Sequence, residues 1–354
     1  MISEAAANER FLRACRREPT DATPVWFMRQ AGRYMPEYRA LRERYSLLEI
    51  CRQPELVAEV TLQPLAVMDL DAAIIFADIM LPLDGLGVHY DIVEGTGPVV
   101  FEPIRQLQQV ESLHAFEAAG AVPYLLEGIR QVKDALAGRV PLIGFGAGPF
   151  TLASYLVEGK GSRTLQQTKA LIFSEPKTWH KLMRSLSTAL ADYLTAQVAA
   201  GAEAIQIFDS WVGALAPDDY DVHVAPYSRR LFAALEECGV PTIHFGTGTA
   251  TLLRQMAAAG GDVIGVDWRL PLDAAWEQIG SDRGIQGNLD PAVLLADFDT
   301  VWAHATHILE LAGGRPGHIF NLGHGILPGT PVDNVRRLVD FVHEFTSQAR
   351  QQPR

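Results

Sequence analysis

The sequence predicts a single (β/α)8 barrel, on three observations: eight short apolar runs, a helical pattern after each, and no linker separating them. The runs centre near residues 25, 74, 142, 205, 243, 264, 285 and 320. Alternation of strand and helix demands a parallel sheet, and eight parallel strands close on themselves. At 354 residues the length admits two domains but also suits one barrel. No low-complexity stretch or internal repeat divides the chain, so residues 1–354 read as one domain with short flexible ends.

Residues 8–17 carry a helical pattern that stops at Pro19. Val25-Trp-Phe-Met28 is long enough for a buried strand, and it ends at Arg29 and Arg33, which flank the small, flexible link Gln30-Ala31-Gly32. A helix opens at Pro54, where proline is tolerated in a first turn, and runs through Leu56, Val57, Val60 and Leu65. The continuous apolar run Ala72–Ala77 fits a parallel strand covered on both faces and stops at Asp78. Beyond it, Val88, Tyr90 and Ile92 alternate with polar residues and Glu94-Gly-Thr-Gly97 supplies turn chemistry. That pattern predicts a β-hairpin inserted after the second strand, within 84–103, either overhanging a site or decorating the surface.

Helical patterns at 107–119 and 123–137 lead to the strand Val140–Phe145. The following Gly144-Phe-Gly-Ala-Gly148 lacks dinucleotide-site spacing and has no acid at the usual distance. Helices at 149–158, 163–173 and 176–199 precede the strand Ala204–Phe208. Regular alternation follows: helix 226–238, strand 241–245, helix 249–259, strand 263–266, helix 272–279 and a strand at Ile285-Gln286. Asp290-Pro291 suits an N-cap and first helical position, Ile319–Leu322 is the last strand, and Thr330-Pro-Val-Asp333 resembles a capping box for the final helix.

With 48% apolar and 20% charged residues, the composition is that of an ordinary soluble globular protein. The formal charge, 30 minus 42 or -12, supplies no basic surplus for general nucleic-acid binding, so cations for an anionic ligand must be gathered locally. Cys15, Cys51 and Cys238 form no CxxC and fit a reducing cytoplasm. The N-terminus has no secretory apolar core, and the apolar region Leu62–Leu83 is interrupted by Asp69, Asp71, Asp78 and two prolines, which argues against a membrane span.

In barrels of this class the chemistry sits at the carboxyl ends of the strands. Here those ends hold Arg29 and Arg33, Asp78, the Gly-rich loop with Tyr155 beyond it, Asp209 and Ser210, His244, Asp267 and Arg269, Asn288, and His324 between two glycines. The set has no cysteine and no compact His/Asp/Glu cluster, so no metal is expected. Arg29 and Arg33 read as a forked anion clamp or as two solvated surface charges. Asp78 ends so apolar a run that it needs donors, from a ligand or from the two arginines in a purely structural pair. Tyr155 could be a packing residue, Ser210 a helix cap, and His324 a core histidine; its glycines would also let a ligand approach closely.

Seven motifs then occur in order: Arg29-Gln-Ala-Gly-Arg33, Phe76-Ala-Asp-Ile79, Thr151-Leu-Ala-Ser-Tyr-Leu-Val-Glu-Gly159, Phe208-Asp-Ser-Trp211, Gly265-Val-Asp-Trp268, Gln286-Gly-Asn-Leu-Asp290 and Asn321-Leu-Gly-His-Gly325. Over roughly residues 8–345 the chain closely resembles the uroporphyrinogen decarboxylases of haem and chlorophyll synthesis. The resemblance implies a distorted barrel, usually a homodimer, working without metal or organic cofactor. It further implies removal of CO2 from four acetate side chains of uroporphyrinogen to give coproporphyrinogen, with Asp78 as the central carboxylate and Arg29 and Arg33 as rim cations. Residues 29 to 33 (Arg29, Gln30, Ala31, Gly32, Arg33) with Tyr155, Ser210 and His324 are the implied substrate contacts, and Asp78 and Arg29 the implied catalytic pair.

That substrate has carboxylates around its edge and four pyrrole N–H groups at its centre, the inverse of a site with cations outside and an anion in the middle. Protonation of a ring carbon beside the acetate-bearing carbon would create an iminium-like cation that accepts the electrons released with CO2. A fixed carboxylate stabilises that state more than the ground state. The proton donor stays open among Arg29, a water it holds, and a substrate carboxyl. Two other functions compete: a zinc-dependent methyltransferase, which needs thiolates at strand ends, and a non-enzymatic tetrapyrrole carrier, which needs no carboxylate among the pyrrole nitrogens.

Overall fold

The computed structural model describes residues 9–351, with side chains through residue 348; the extreme ends expected to be flexible, and residue 8 of the first helix, lie outside that range. In chain order the strands are β1 (Ala73–Ile74), the hairpin β2 (Tyr90–Val93) and β3 (Gly97–Val100), then β4 (Leu142–Ala147), β5 (Ala204–Phe208), β6 (Thr242–Phe245), β7 (Val263–Gly265), β8 (Gly284–Leu289) and β9 (His318–Leu322). All except the hairpin form one parallel sheet in the order β1-β4-β5-β6-β7-β8-β9. Every residue of β4, β6, β8 and β9 is buried, as strands covered on both faces require.

The segment from Val25 closes the sheet without forming a regular strand, which corrects the eighth strand expected over Val25–Met28. Val25 makes a single parallel bridge to Phe320 of β9, and its carbonyl accepts the N–H of Asp71, 2.9 Å away, just ahead of β1. Side chains supply the remaining acceptors: Asp71 Oδ2 takes Val25 N–H at 2.6 Å and Asn321 Oδ1 takes Met28 N–H at 3.1 Å. Asp71 also binds Arg10 at 2.5 Å and His343 Nε2 at 2.7 Å. One buried carboxylate thus ties the closing segment to the first and last helices. Directly after the run, Arg29 adopts a left-handed backbone conformation, φ 62°, uncommon for a residue with a side chain.

The second strand is also shorter than Ala72–Ala77. The ladder reaches Ile75 N–H, which donates to Ile143 O, but the Phe76 N–H goes to Thr61 Oγ1 at 2.9 Å, so the chain leaves the sheet there. Asp78 therefore stands on a loop rather than at a strand's last residue. The expected helix 107–119 divides into Leu107–Glu111 and Ala118–Ala121, 249–259 shortens to Leu253–Ala259, and β8 extends well past Gln286. Short helices the sequence pattern does not predict include Pro36–Arg42, Leu47–Cys51, Pro82–Gly85 and Pro217–His223, although Ser46 and Glu49 form a reciprocal capping box before the second. Asp290 does cap, accepting Ala292 N–H, but it opens a 3-10 turn, Pro291–Leu295. The final helix begins at Val332, and the buried hydroxyl of Thr330 has no hydrogen-bond partner among the described residues, so the expected capping box is not formed.

The hairpin pairs Tyr90 with Val100 through Val93 with Gly97. It docks on the end of the helix Pro149–Glu158: Val99 bridges Lys160, and Val100 N–H donates to Gly159 O at 2.7 Å. It braces the helix that carries Tyr155. Among the described residues no helix is long and apolar enough to cross a membrane.

Candidate active site

Arg29 and Arg33 leave the closing segment on a loop whose shape is set by Gln30. That side chain is buried; its Oε1 accepts Phe27 N–H and its Nε2 donates to Ala72 O, both at 3.0 Å, while Tyr34 Oη donates to Gln30 O at 2.8 Å. Gln30 turns inward and Arg29 and Arg33 turn outward. Both arginines are exposed, and neither guanidinium has an ion pair or hydrogen bond among the described residues. Ala31 and Gly32 are partly exposed between them.

Arg29 lies against the turn that follows β9. A Cβ added to Gly325 would stand 2.6 Å from Arg29 Cγ and 2.9 Å from its Nε, so only glycine leaves room for the arginine in this position. Ile326 N–H donates to Met28 O at 2.9 Å and fixes that turn beside the loop. His324, the preceding residue, is thereby brought close to Arg29. Burial, then the charges of Arg29 and Arg269, push its imidazole down to about 4, and it is neutral at pH 7.

Asp78 faces the same space. Its Oδ1 accepts Met80 N–H at 2.9 Å, and no cation is within ion-pairing distance among the described residues. The carboxylate is partly open to the cavity yet surrounded by protein, and burial pushes it above the usual carboxylate range; Met80 N–H and the Arg29 charge oppose this more weakly. For Arg29 the direction is also set by burial, then by Arg33, which lower its guanidinium, while Asp78 pulls the other way. The purely structural Asp78–arginine pair is therefore not made. Instead Arg29 stands within electrostatic reach of both the Asp78 carboxylate and the Arg33 guanidinium, and none of the three is paired among the described residues.

Tyr155 projects from the helix Pro149–Glu158, and its phenol is pushed up to about 12 by burial and by Asp78. Its ring lies 4.1 Å from that of Trp211. Trp211 is held in turn: its N–H donates to Thr151 Oγ1 at 3.3 Å, and the Thr151 hydroxyl donates to Asp209 Oδ1 at 2.8 Å. Asp209 also accepts Thr151 N–H and is wholly buried, so it anchors the Tyr155 helix rather than facing a ligand. Ser210 is partly exposed; its carbonyl accepts the Thr247 hydroxyl, and its own hydroxyl has no partner among the described residues.

The structure thus brings Arg29, Arg33, Asp78, Tyr155, Ser210 and His324 to the carboxyl end of the barrel and turns the Gln30 side chain away into the wall. Other strand-end candidates are supports. His244 packs on Phe232, with Nδ1 3.3 Å from Gly260 O, and Asn288 donates to the carbonyls of Asp267 and Leu270. Trp211, Thr151 and Gly325 lie inside motifs already singled out, but nothing in their spacing distinguishes a support from a contact. Among the described residues no three His, Cys, Asp or Glu side chains converge as metal ligands.

A family model for uroporphyrinogen decarboxylase matches residues 6–345. The uroporphyrinogen decarboxylase of Sorangium cellulosum is 56% identical over 338 residues, covering 96% of this chain and 97% of its own. That of Carboxydothermus hydrogenoformans is 52% identical over 345 residues, covering 98% and 99%. Among solved structures, a methyltransferase from Methanosarcina mazei superposes with TM-score 0.76 over 96% of this chain and 98% of its own, at 22% identity, a likeness of fold alone. A B12-independent methionine synthase from Shewanella sp. W3-18-1 does so with TM-score 0.58 at 11% identity, over 86% of this chain and 90% of its own. Relatives at more than half identity, matched end to end, together with the family model place this chain in the uroporphyrinogen decarboxylase family.

Proposed function

We propose that this chain is a carboxy-lyase that removes CO2 from the four acetate side chains of uroporphyrinogen III, giving coproporphyrinogen III in porphyrin biosynthesis. The observation that carries the reading is the unpaired carboxylate of Asp78 facing the unpaired guanidinium of Arg29, with Arg33 beside it, at the carboxyl end of the barrel. A carboxylate surrounded by protein and left unpaired near cations is costly unless a ligand meets it. A macrocycle with N–H donors at its centre and a carboxylate rim meets both the carboxylate and the cations.

On this reading, the two Asp78 oxygens offer lone pairs to the converging pyrrole N–H groups, and Met80 N–H occupies only one of them. As a ring carbon is protonated, the positive charge that develops lies beside Asp78 in a space the substrate itself has emptied of water, and the carboxylate lowers that barrier. Electrons from the broken C–C bond then neutralise the ring, and the exocyclic methylene takes a proton to become methyl as the ring carbon gives up the proton it gained, so that one proton is consumed for each CO2 released. Arg29 and Arg33 grip carboxylates, Tyr155 and Ser210 present free hydroxyls, and neutral His324 offers a donor or acceptor without adding charge. Arg29 is also the candidate proton donor, directly or through a water it holds, because burial and Arg33 loosen its hold on the proton.

We read the chain as one barrel domain of the cytoplasm, acting as a homodimer. Three free cysteines, two of them buried, support a reducing compartment, and Phe173 and Val222, 58% and 57% exposed, offer apolar surface for pairing. The decisive experiment is anaerobic incubation of the purified protein with uroporphyrinogen III, followed by oxidation and chromatography. Four successive losses of one carboxyl are expected. Persistence of the octacarboxylate would favour a carrier instead.

A further inference from the structure

A cavity of about 300 Å3 opens at the carboxyl end of the sheet between the segment that follows the helix Pro149–Glu158 and the loops that follow β5, β6 and β7. Ser210 and Trp211 form one wall, so it adjoins the site already described. Two arginines from separate loops line it, Arg163 and Arg269, and no motif of the sequence reading gave either a role.

Arg269 is positioned rather than free. Its backbone N–H donates to Asp267 Oδ1 at 3.0 Å, its Nη1 donates to Asp267 Oδ2, and the guanidinium lies 4.3 Å from the Trp268 ring centre. Asp267 is itself buried and fixed by Gly248 N–H at 2.5 Å. A guanidinium has five N–H donors, so most of Arg269's remain for a ligand, aimed by a rigid support. Asp267 offsets its charge, so Arg269 supplies direction more than net attraction. Arg163 supplies the net charge: it has no ion pair or hydrogen bond among the described residues, and the Ser162 hydroxyl, which accepts Leu165 N–H at 3.0 Å, shapes the turn that carries it.

The two cationic groups are linked through His324, close enough to both Arg29 and Arg269 for each charge to act on its ring. A ligand with eight carboxylates is not served by Arg29 and Arg33 alone, and a chain of formal charge -12 attracts it only through local clusters of this kind.

We propose that Arg163 and Arg269 form a second carboxylate clamp, which holds side-chain carboxylates of the tetrapyrrole on the Ser210 side of the site. This rests on the substrate reading above and adds specificity residues to it. The clamp acts on binding, since carboxylates remote from the reacting carbon change little during the reaction.

The test compares wild type with Arg163→Gln, Arg269→Gln and the double variant. Steady-state rates are measured anaerobically with uroporphyrinogen III, and affinity is measured for coproporphyrin III by quenching of tryptophan fluorescence. Loss of a charged hydrogen bond predicts about a tenfold rise in KM for each single variant and more for the double, with kcat within about twofold and an unchanged melting temperature. The dissociation constant for coproporphyrin should rise in parallel. An unchanged KM and an unchanged dissociation constant in the double variant would overturn the clamp while leaving the decarboxylase reading intact. A fall in kcat at constant KM would also overturn it. A wild type that binds coproporphyrin but does not turn over uroporphyrinogen would sink the functional reading instead, and the binding arm alone would then decide the clamp.

Discussion

Replacing Asp78 with Asn removes one charge and almost no volume. The amide oxygen can still accept the Met80 N–H, 2.9 Å from the carboxylate in the native protein, so the loop has no reason to move. What disappears is the attraction between a full negative charge and the cation that forms on the ring. At about 4 Å and an effective dielectric constant near 20 that attraction is worth roughly 4 kcal/mol, and an open-mouthed cavity reduces it to about 3. At 1.36 kcal/mol per decade, kcat/KM should fall by about 10^2 to 10^3. Stability should move the other way. Burial raises the carboxyl above its ordinary value, so the folded chain holds the proton more tightly than the unfolded chain does, and ionisation at neutral pH works against the fold. The neutral amide escapes that penalty, and the melting temperature should stay level or rise. The assay is anaerobic turnover of uroporphyrinogen with a parallel thermal melt. A variant within about threefold of wild-type kcat/KM would refute the electrostatic role. Lost activity with a falling melting temperature would recast Asp78 as structural. In wild type, the rate should decline on the acid side as Asp78 takes up a proton above the usual carboxylate range.

Gly325→Ala should leave the fold intact, because the new Cβ meets the flexible Cγ of Arg29 at 2.6 Å rather than backbone; displacing that guanidinium should lower kcat/KM by about 10- to 100-fold, and unchanged kinetics would show that Arg29 is not needed there. Asp71→Ala strips Val25 N–H, Arg10 and His343 of their shared partner, and urea unfolding should show a loss of about 3–5 kcal/mol; a loss below about 1 would mean that barrel closure does not depend on it. His324 takes a proton readily only when unfolded, because its folded value is pushed down to about 4 from 6.5. Its contribution to stability is therefore full above pH 6.5 and lost as pH falls toward 4, so His324→Gln should flatten the stability profile across that window; an equal slope in both proteins would contradict the shift.

Seven of the eight expected strands and their parallel order were legible in the sequence because continuous apolar runs between helical patterns permit little else. Closure was not. The run Val25–Met28 looks like any other strand, and only the structure shows Asp71 and Asn321 side chains taking the place of ladder partners. Likewise, the early departure of the chain after Ile75 depends on the Thr61 hydroxyl, fifteen residues earlier, which no local pattern could reveal. At the site, residue types at strand ends offered Arg29, Arg33, Asp78, Tyr155, Ser210 and His324 among other candidates, and the family resemblance singled these out. Spacing could not tell that Gln30 faces inward, that Asp209 anchors Thr151, or that Arg269 is aimed by Asp267, since each depends on which way a side chain turns. The capping box at Ser46 was readable and went unread, whereas the one expected at Thr330 is not formed.

The most direct test of the central claim is the position of the macrocycle in a structure of the protein with coproporphyrinogen III, formed without oxygen. The account predicts the four pyrrole nitrogens turned toward Asp78, within about 3 Å of its carboxylate, and propionates reaching Arg29 or Arg33. A macrocycle bound with its nitrogens facing away from Asp78, or seated elsewhere on the barrel, would contradict it.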